Sequence, residues 1–254
     1  MTGVGDAGPR VTVFDDAEAV ARAAAGRVAE LARLSISERG SFTLALSGGN
    51  TPRRVYELLA SAEFAGLVEW ERVHVFFGDE RAVPPDHAES NYRMAAESLL
   101  SRVAVPAENV HRIEGLGDAA ANASDYESEM RSLFGEDAEW PRLDLVLLGM
   151  GDDGHTASLF PGTSALEETR LWVAANWVEK LGAWRVTLTA PAINAARHVL
   201  FLVSGAAKAE RLREVLRGER DPARLPSQLI RPRDGTLEWF ADRAAAAEVR
   251  PDTP

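Results

Sequence analysis

The sequence predicts an α/β fold, a doubly wound and mostly parallel sheet with helices on both faces. Two observations carry that prediction. Short β-rich runs alternate with longer segments of helical period along most of the 254 residues, and several of the runs are apolar on both faces. A strand that is apolar throughout has to be covered on each side, which is the situation in parallel sheets whose connections are helices.

In chain order, RVTVF (10–14) is the first strand, and AEAVARAAAGRVAELARL (17–34) follows as an outer amphipathic helix, alanine-rich but punctuated by charge. SFTLALS (41–47) is the second strand, leading into a helix TPRRVYELLA (51–60), with Thr51 as the expected cap and Pro52 at the first helical position. RVHVFF (72–77) is followed by SNYRMAAESLL (90–100), where Ser90 stands in a capping place, and by ASDYESEMRSLF (123–134). LDLVLL (143–148), RVTLT (185–189) and HVLFLV (198–203) complete the expected strands, and AAKAERLREVL (206–216) the helices. The chain reads as one domain over 1–254, with loose tails expected at about 1–9 and 250–254, which lack apolar periodicity. Of the six tryptophans, several gather around Trp172, Trp177 and Trp184, which mark a core, a lid or an interface, with a core expected first.

Composition removes several function classes. Hydrophobic residues make up 46% and charged ones 26%, as in a soluble globular protein, and the formal net charge of −11 disfavours nucleic acid and anionic membranes as partners. An anionic ligand must therefore meet a local positive site. Without cysteine there is no disulfide, no thiolate nucleophile and no Cys-based zinc site. No run approaches the roughly 20 apolar residues that span a bilayer, and no basic-then-apolar leader opens the chain, so the expected location is the cytoplasm.

In an open α/β sheet, ligands bind beyond the carboxyl ends of the strands. Four such ends carry polar residues. In LALSGGNTPRRVYELL, Ser47-Gly48-Gly49-Asn50-Thr51 leads into a helix; glycines allow close backbone approach and the helix start offers unpaired N–H groups, which suits a phosphate. The spacing matches neither the Walker A pattern nor G-x-G-x-x-G. VFFGDERAVPPDHAESNYRMAA delivers Asp79, Glu80 and Arg81 after Gly78, and Arg81 can fork onto phosphate oxygens; Arg93 faces either the cleft or water. LVLLGMGDDGHTASLFPG places Asp153 and His155 after a glycine-rich exit, where the next helix is expected to begin. Histidine suits general-base work at neutral pH, and a carboxylate nearby orients its ring. In VLFLVSGAAKAERLREVL, Lys208 falls in a helix's first turn, where a cation is unfavourable unless an anion sits beside it.

Together LALSGGNTP, VFFGDER with SNYRMA, LGMGDDGHTASLFPG and SGAAKAE resemble the 6-phosphogluconolactonase family, in that family's order, from about residue 44 to 210, with a weaker similarity in LIRPRDGTLEWFADRAAA. The resemblance implies a Rossmann-like fold, a phosphorylated sugar lactone as substrate and a reaction needing no cofactor or metal. It implies His155 as general base, Asp153 holding the imidazole, Asp79 near the sugar ring, and a phosphate pocket of Ser47, Gly48, Gly49, Thr51, Arg81 and Lys208. Ser47 and Ser158 lack a base partner in the sequence and read as binding or capping residues rather than nucleophiles. The expected assembly is a monomer or a weak homo-oligomer.

Two alternatives belong to other classes. The sequence is also similar to the glucosamine-6-phosphate deaminase family, in which a glutamate before the proline assists ring opening; here that place holds Phe160, which moves no protons. Sugar-phosphate-sensing domains of some repressors are similar in fold, but only ten residues precede Val11, so DNA binding has no evident vehicle.

Overall fold

The computed structural model describes residues 10–249, and the tails expected at 1–9 and 250–254 lie outside the described residues. Six parallel strands form the main sheet: β1 (Arg10–Phe14), β2 (Phe42–Leu46), β3 (Val73–Phe77), β5 (Leu145–Gly149), β8 (His198–Val203) and β9 (Thr236–Asp242), in the order β1-β9-β8-β5-β2-β3. β2 is buried at every position, as a strand covered on both faces must be. From β2 the chain winds outward to β3, then returns to lay β5 on β2's other side, so the winding reverses between β2 and β5. That switch point leaves a crevice beyond their carboxyl ends.

Three further strands form a separate antiparallel sheet in the order β4-β7-β6: β4 (Asp79–Arg81), β6 (Val173–Val178) and β7 (Ala183–Leu188). The expected strand 185–189 therefore lies outside the parallel sheet. Its alternation is the reason: Val186 and Leu188 fill one side, leaving Arg185 only half-buried. Gly78 joins the two sheets, its N–H donating to the Leu46 carbonyl of β2 and its own carbonyl accepting from Leu188 of β7.

Helix α1 (Ala17–Arg39) is capped by Asp16 and ends on Gly40 in the left-handed region. Helix α2 (Asn50–Leu59) starts one residue before the expected cap: Gly49, at φ 107°, is the N-cap, and Thr51 and Pro52 lie within the first turn. Helix α3 (Asn91–Ala95) continues as a wider turn through Leu100 and is capped by Ser90, whose hydroxyl accepts from Arg93 N–H as expected. The remaining helices are α4 (Ala119–Phe134), the short α5 (Ala190–Asn194) and α6 (Ala209–Arg217). No helix forms directly after His155; Thr156 and Leu159 pair in a tight turn and Ala157 takes a positive φ of 46°. Trp172 is fully buried, whereas Trp177 and Trp184 pack edge to face on the β6–β7 hairpin, about half exposed, and are not core residues. No described helix is long and apolar enough to cross a membrane.

Candidate active site

Two tyrosines fix the strand exits that supply the site. Tyr56, reaching back from α2, accepts the Ser47 N–H at 2.9 Å and donates to the Ser47 carbonyl at 2.8 Å, so β2 ends in a defined loop. Tyr126 of α4 does the same for Phe77 of β3, at 2.9 and 3.2 Å, just before the chain turns at Gly78 towards Asp79. Each hydroxyl satisfies a backbone pair that burial would otherwise leave unmade.

Between these exits lies a cleft of about 360 Å³, walled by the Ser47–Pro52 loop, Asp79 and Arg81, Gly149 to Gly151, His155, Ser204 and Lys208. A second lobe of about 290 Å³ shares the Asp79, Arg81, His155 and Ala157 wall and adds Asp153, Ser158, Phe160, Lys180 and Arg185. All nine site residues expected from the sequence thus line one of the two adjoining lobes. Arg93 does not; it bonds Glu97 and the Asp86 carbonyl.

His155 is held from every side. Its Nδ1 sits 2.5 Å from Asp153 Oδ1, while the second Asp153 oxygen takes Lys180 Nζ at 3.0 Å. The hydrogen bond from His155, ahead of every other influence, holds the Asp153 carboxyl well below the usual carboxylate range despite partial burial. With Nδ1 donating to a carboxylate, Nε2 is the basic nitrogen, and it belongs to a ring forming the wall common to both lobes. Phe160 stacks on that ring at 4.0 Å. Gly151 has to lack a side chain, because a Cβ there would lie 2.0 Å from His155 Nδ1. The loop's backbone is pinned by Gly151 N–H to the His155 carbonyl, Arg211 to the Asp152 carbonyl, Ser227 to the Gly154 carbonyl, and Thr156 to the Gly149 carbonyl. The imidazole is thus held in one orientation by its surroundings.

Asp79 is buried and doubly held. Ser158 Oγ donates to its Oδ2 at 2.6 Å and Asn91 Nδ2 to its Oδ1 at 3.2 Å. Ser158, expected as a binding or capping residue, is thus a donor that holds Asp79. Beside Asp79, the Glu80 carboxylate turns inward to accept from the backbone N–H groups of Arg81, Asn91 and Tyr92 and from the Ser90 hydroxyl, tying β4 to the start of α3. Burial outweighs those four bonds and pushes the Glu80 carboxyl up.

The positive side of the site combines charges and backbone. Gly49 has no side-chain cap, so the first N–H groups of α2 have no intrahelical acceptor. Ser47 Oγ and Ser204 Oγ are buried in the same cleft without hydrogen-bond partners. Arg81 donates to the Glu89 carbonyl, and Lys208 pairs with Asp152. Lys208 closes a short 3₁₀ turn, Ala206–Lys208, ahead of α6 rather than lying within that helix. Arg185, absent from the sequence reading, stands directly opposite Arg81 in the β4–β7 ladder and bonds only the Trp184 carbonyl. Burial, then Arg81, lowers its affinity for a proton. Like charges at directly opposed positions destabilise a sheet unless an anion lies between them. The polar alternation of Arg185, Thr187 and Thr189 was the available signal for this face. Among the described residues, no group of three or more His, Asp or Glu side chains is placed to hold a metal ion.

A parallel α/β sheet that sets an oriented imidazole beside a loop of free N–H groups at its switch point has the layout of an α/β enzyme with a small-molecule site beyond its strand ends. The family model for glucosamine-6-phosphate isomerases/6-phosphogluconolactonase matches residues 15–239, and the chain belongs to that family. It is 46% identical over 218 residues to a 6-phosphogluconolactonase of Nostoc sp., covering 85% of this chain and 88% of the relative. A Synechocystis sp. 6-phosphogluconolactonase is likewise 46% identical, over 220 residues and the same shares. The solved 6-phosphogluconolactonase of Trypanosoma cruzi superposes with a TM-score of 0.85 at 32% identity, covering 96% of this chain and 97% of that one.

Proposed function

We propose that the protein hydrolyses 6-phospho-D-glucono-1,5-lactone to 6-phosphogluconate, as a cytoplasmic enzyme of the oxidative pentose phosphate pathway. The observation that carries this reading is the 2.5 Å contact between Asp153 and His155 Nδ1, which leaves Nε2 as the base on the wall shared by both lobes of the cleft.

In this reading, His155 Nε2 takes a proton from water as the water oxygen attacks the lactone carbonyl carbon. The imidazolium that forms is balanced by Asp153, and it returns the proton to the ring oxygen as the C–O bond breaks, leaving a carboxylic acid that then releases its own proton to solvent to become the carboxylate. A lactone is an activated ester, so the modest 10²–10⁴-fold typical of base assistance, with positioning added, suffices without a covalent nucleophile. The loop of Ser47, Gly48, Gly49 and Thr51 takes the substrate phosphate together with Lys208 and Arg81, and Arg185 adds positive potential beside Arg81. Asp79, with both oxygens already aimed by Ser158 and Asn91, keeps lone pairs for a sugar hydroxyl. Phe160 against the imidazole supports hydrolysis over deamination, since a hydrocarbon ring there transfers no proton.

Turnover of freshly prepared lactone, with spontaneous hydrolysis subtracted, tests the assignment. His155→Ala is expected to lower kcat by roughly two or more orders of magnitude with little change in KM, the pattern of lost transition-state assistance. A variant that keeps the parent's kcat removes His155 from the chemistry.

A further inference from the structure

The two adjacent aspartates of the central loop do different things. Asp153 has both carboxylate oxygens engaged, one by His155 and one by Lys180. Asp152 points its carboxylate at a single cation, the ammonium of Lys208, and that side chain is 76% exposed where Lys208 is only 24% exposed. Its backbone does not share this freedom, because Arg211 Nε holds the Asp152 carbonyl at 3.0 Å and the neighbouring Gly151 N–H is bonded to His155.

We propose that Asp152 is an internal competitor for the phosphate of the substrate: its carboxylate pairs with Lys208 and is displaced when a phosphorylated ligand enters. The inference rests on the functional reading above and names a control built into that same site. The cleft presents Ser47 Oγ and Ser204 Oγ, both buried and without partners, the free N–H groups at the start of α2, and Lys208. Asp152 satisfies only the last of these donors. A phosphate seated on the loop satisfies the hydroxyls, the backbone and the ammonium together, and the exposed Asp152 side chain has solvent to swing into while its pinned backbone leaves His155 in place. A sugar lacking the phosphate brings nothing that displaces the carboxylate, so Lys208 stays closed to it. Asp152 thus tempers the affinity of the site for phosphate, acting through Lys208 and touching no reacting atom.

Equilibrium binding of 6-phosphogluconate, measured by calorimetry, tests this on the parent, Asp152→Asn, Lys208→Met and the double variant. Asp152→Asn is expected to bind about fivefold more tightly than the parent, the upper range for releasing one exposed ion pair. Gluconate, without the phosphate, gains nothing. In the Lys208→Met background the Asp152→Asn gain disappears, as a double-mutant cycle requires of residues that act on each other. Asp152→Ser repeats the measurement with a different side chain, and thermal melts confirm that each variant is folded. Unchanged or weaker binding by both Asp152 variants overturns the proposal, as does a gain of equal size without Lys208 or with gluconate. A folded parent that fails to bind 6-phosphogluconate at all overturns the phosphate reading itself, a result distinguishable from the first because it precedes any substitution.

Discussion

Replacing Asp153 by asparagine isolates the charge of the residue that orients the base. The side chain keeps its size and one oxygen, but the contact of 2.5 Å to His155 Nδ1 loses its ionic partner. That contact gains strength as the imidazole takes a proton, and only interactions stronger in the transition state raise kcat. Hydrogen bonds to charged groups contribute about 1.5–3 kcal/mol, and each 1.4 kcal/mol or so is tenfold in rate, so kcat is expected to fall roughly 10- to 100-fold. Both side chains are about one-quarter exposed, and solvent screening places the value towards the lower end. The assay is the initial rate of lactone opening at saturating and limiting substrate, and KM is expected to stay within about threefold because the pair makes no contact specific to the bound ground state. An unchanged kcat, or a loss carried wholly by KM, refutes the orienting role. Stability supplies a second reading. Because the folded carboxyl is depressed below its unfolded value, Asp153 contributes stability that is present above the ordinary carboxylate pKa of about 4 and is lost as pH falls further. The difference in Tm between parent and Asp153→Asn therefore narrows as the solution is acidified through that region.

The remaining expectations concern the parts that hold the site. Tyr56→Phe removes the hydroxyl that satisfies both Ser47 backbone groups in a buried setting, at a cost of about 1–3 kcal/mol; calorimetry should show Tm lower by several degrees, with a raised KM, and an unchanged Tm would separate the tyrosine from the loop. Gly151→Ala puts a methyl group where its Cβ lies 2.0 Å from His155 Nδ1, so kcat is expected to drop at least about tenfold while 6-phosphogluconate still binds; parent-like turnover would place the ring elsewhere.

The inner strands of the parallel sheet were readable because burial on both faces writes a continuous apolar run, and β2, β3, β8 and most of β5 fall where such runs stand, whereas the edge strand β1, with no position buried, was legible from its β-branched alternation. β9 went unread although it pairs with both β1 and β8: Glu238 interrupts its apolar pattern, and only in the fold does Arg27 neutralise that carboxylate at 2.9 Å while Trp239 stacks on Phe201 at 3.7 Å. β4 is three polar residues whose partner strand is more than a hundred positions away, and no local period announces it. The site shows the same division. Residues at strand exits, such as Ser47, Asp79, Arg81 and His155, were legible because local turn chemistry and topology together predict where a strand end lies. Ser204, directly after β8, stands at such an exit too and was passed over, whereas Asn91, Lys180 and Arg185 reach the cleft or its acids from other segments, and only tertiary contact brings them there.

The acidity of the chain shapes how such a site has to bind. With a net charge of −11, long-range attraction does not bring an anionic substrate to this surface, and the local cations are themselves compromised: Lys208 is held by Asp152, and Arg81 faces Arg185 across the ladder. In the proposed reading, binding therefore leans on short-range donors beside Lys208 and Arg81, namely the uncapped start of α2 and the two unpartnered serine hydroxyls. Donors of that kind carry no net charge and reward geometry more than charge. The opposed arginines are the complementary case. They repel each other across the β4–β7 ladder, and the nearby carboxylates of Asp79, Glu89 and Glu80 offset part of that repulsion.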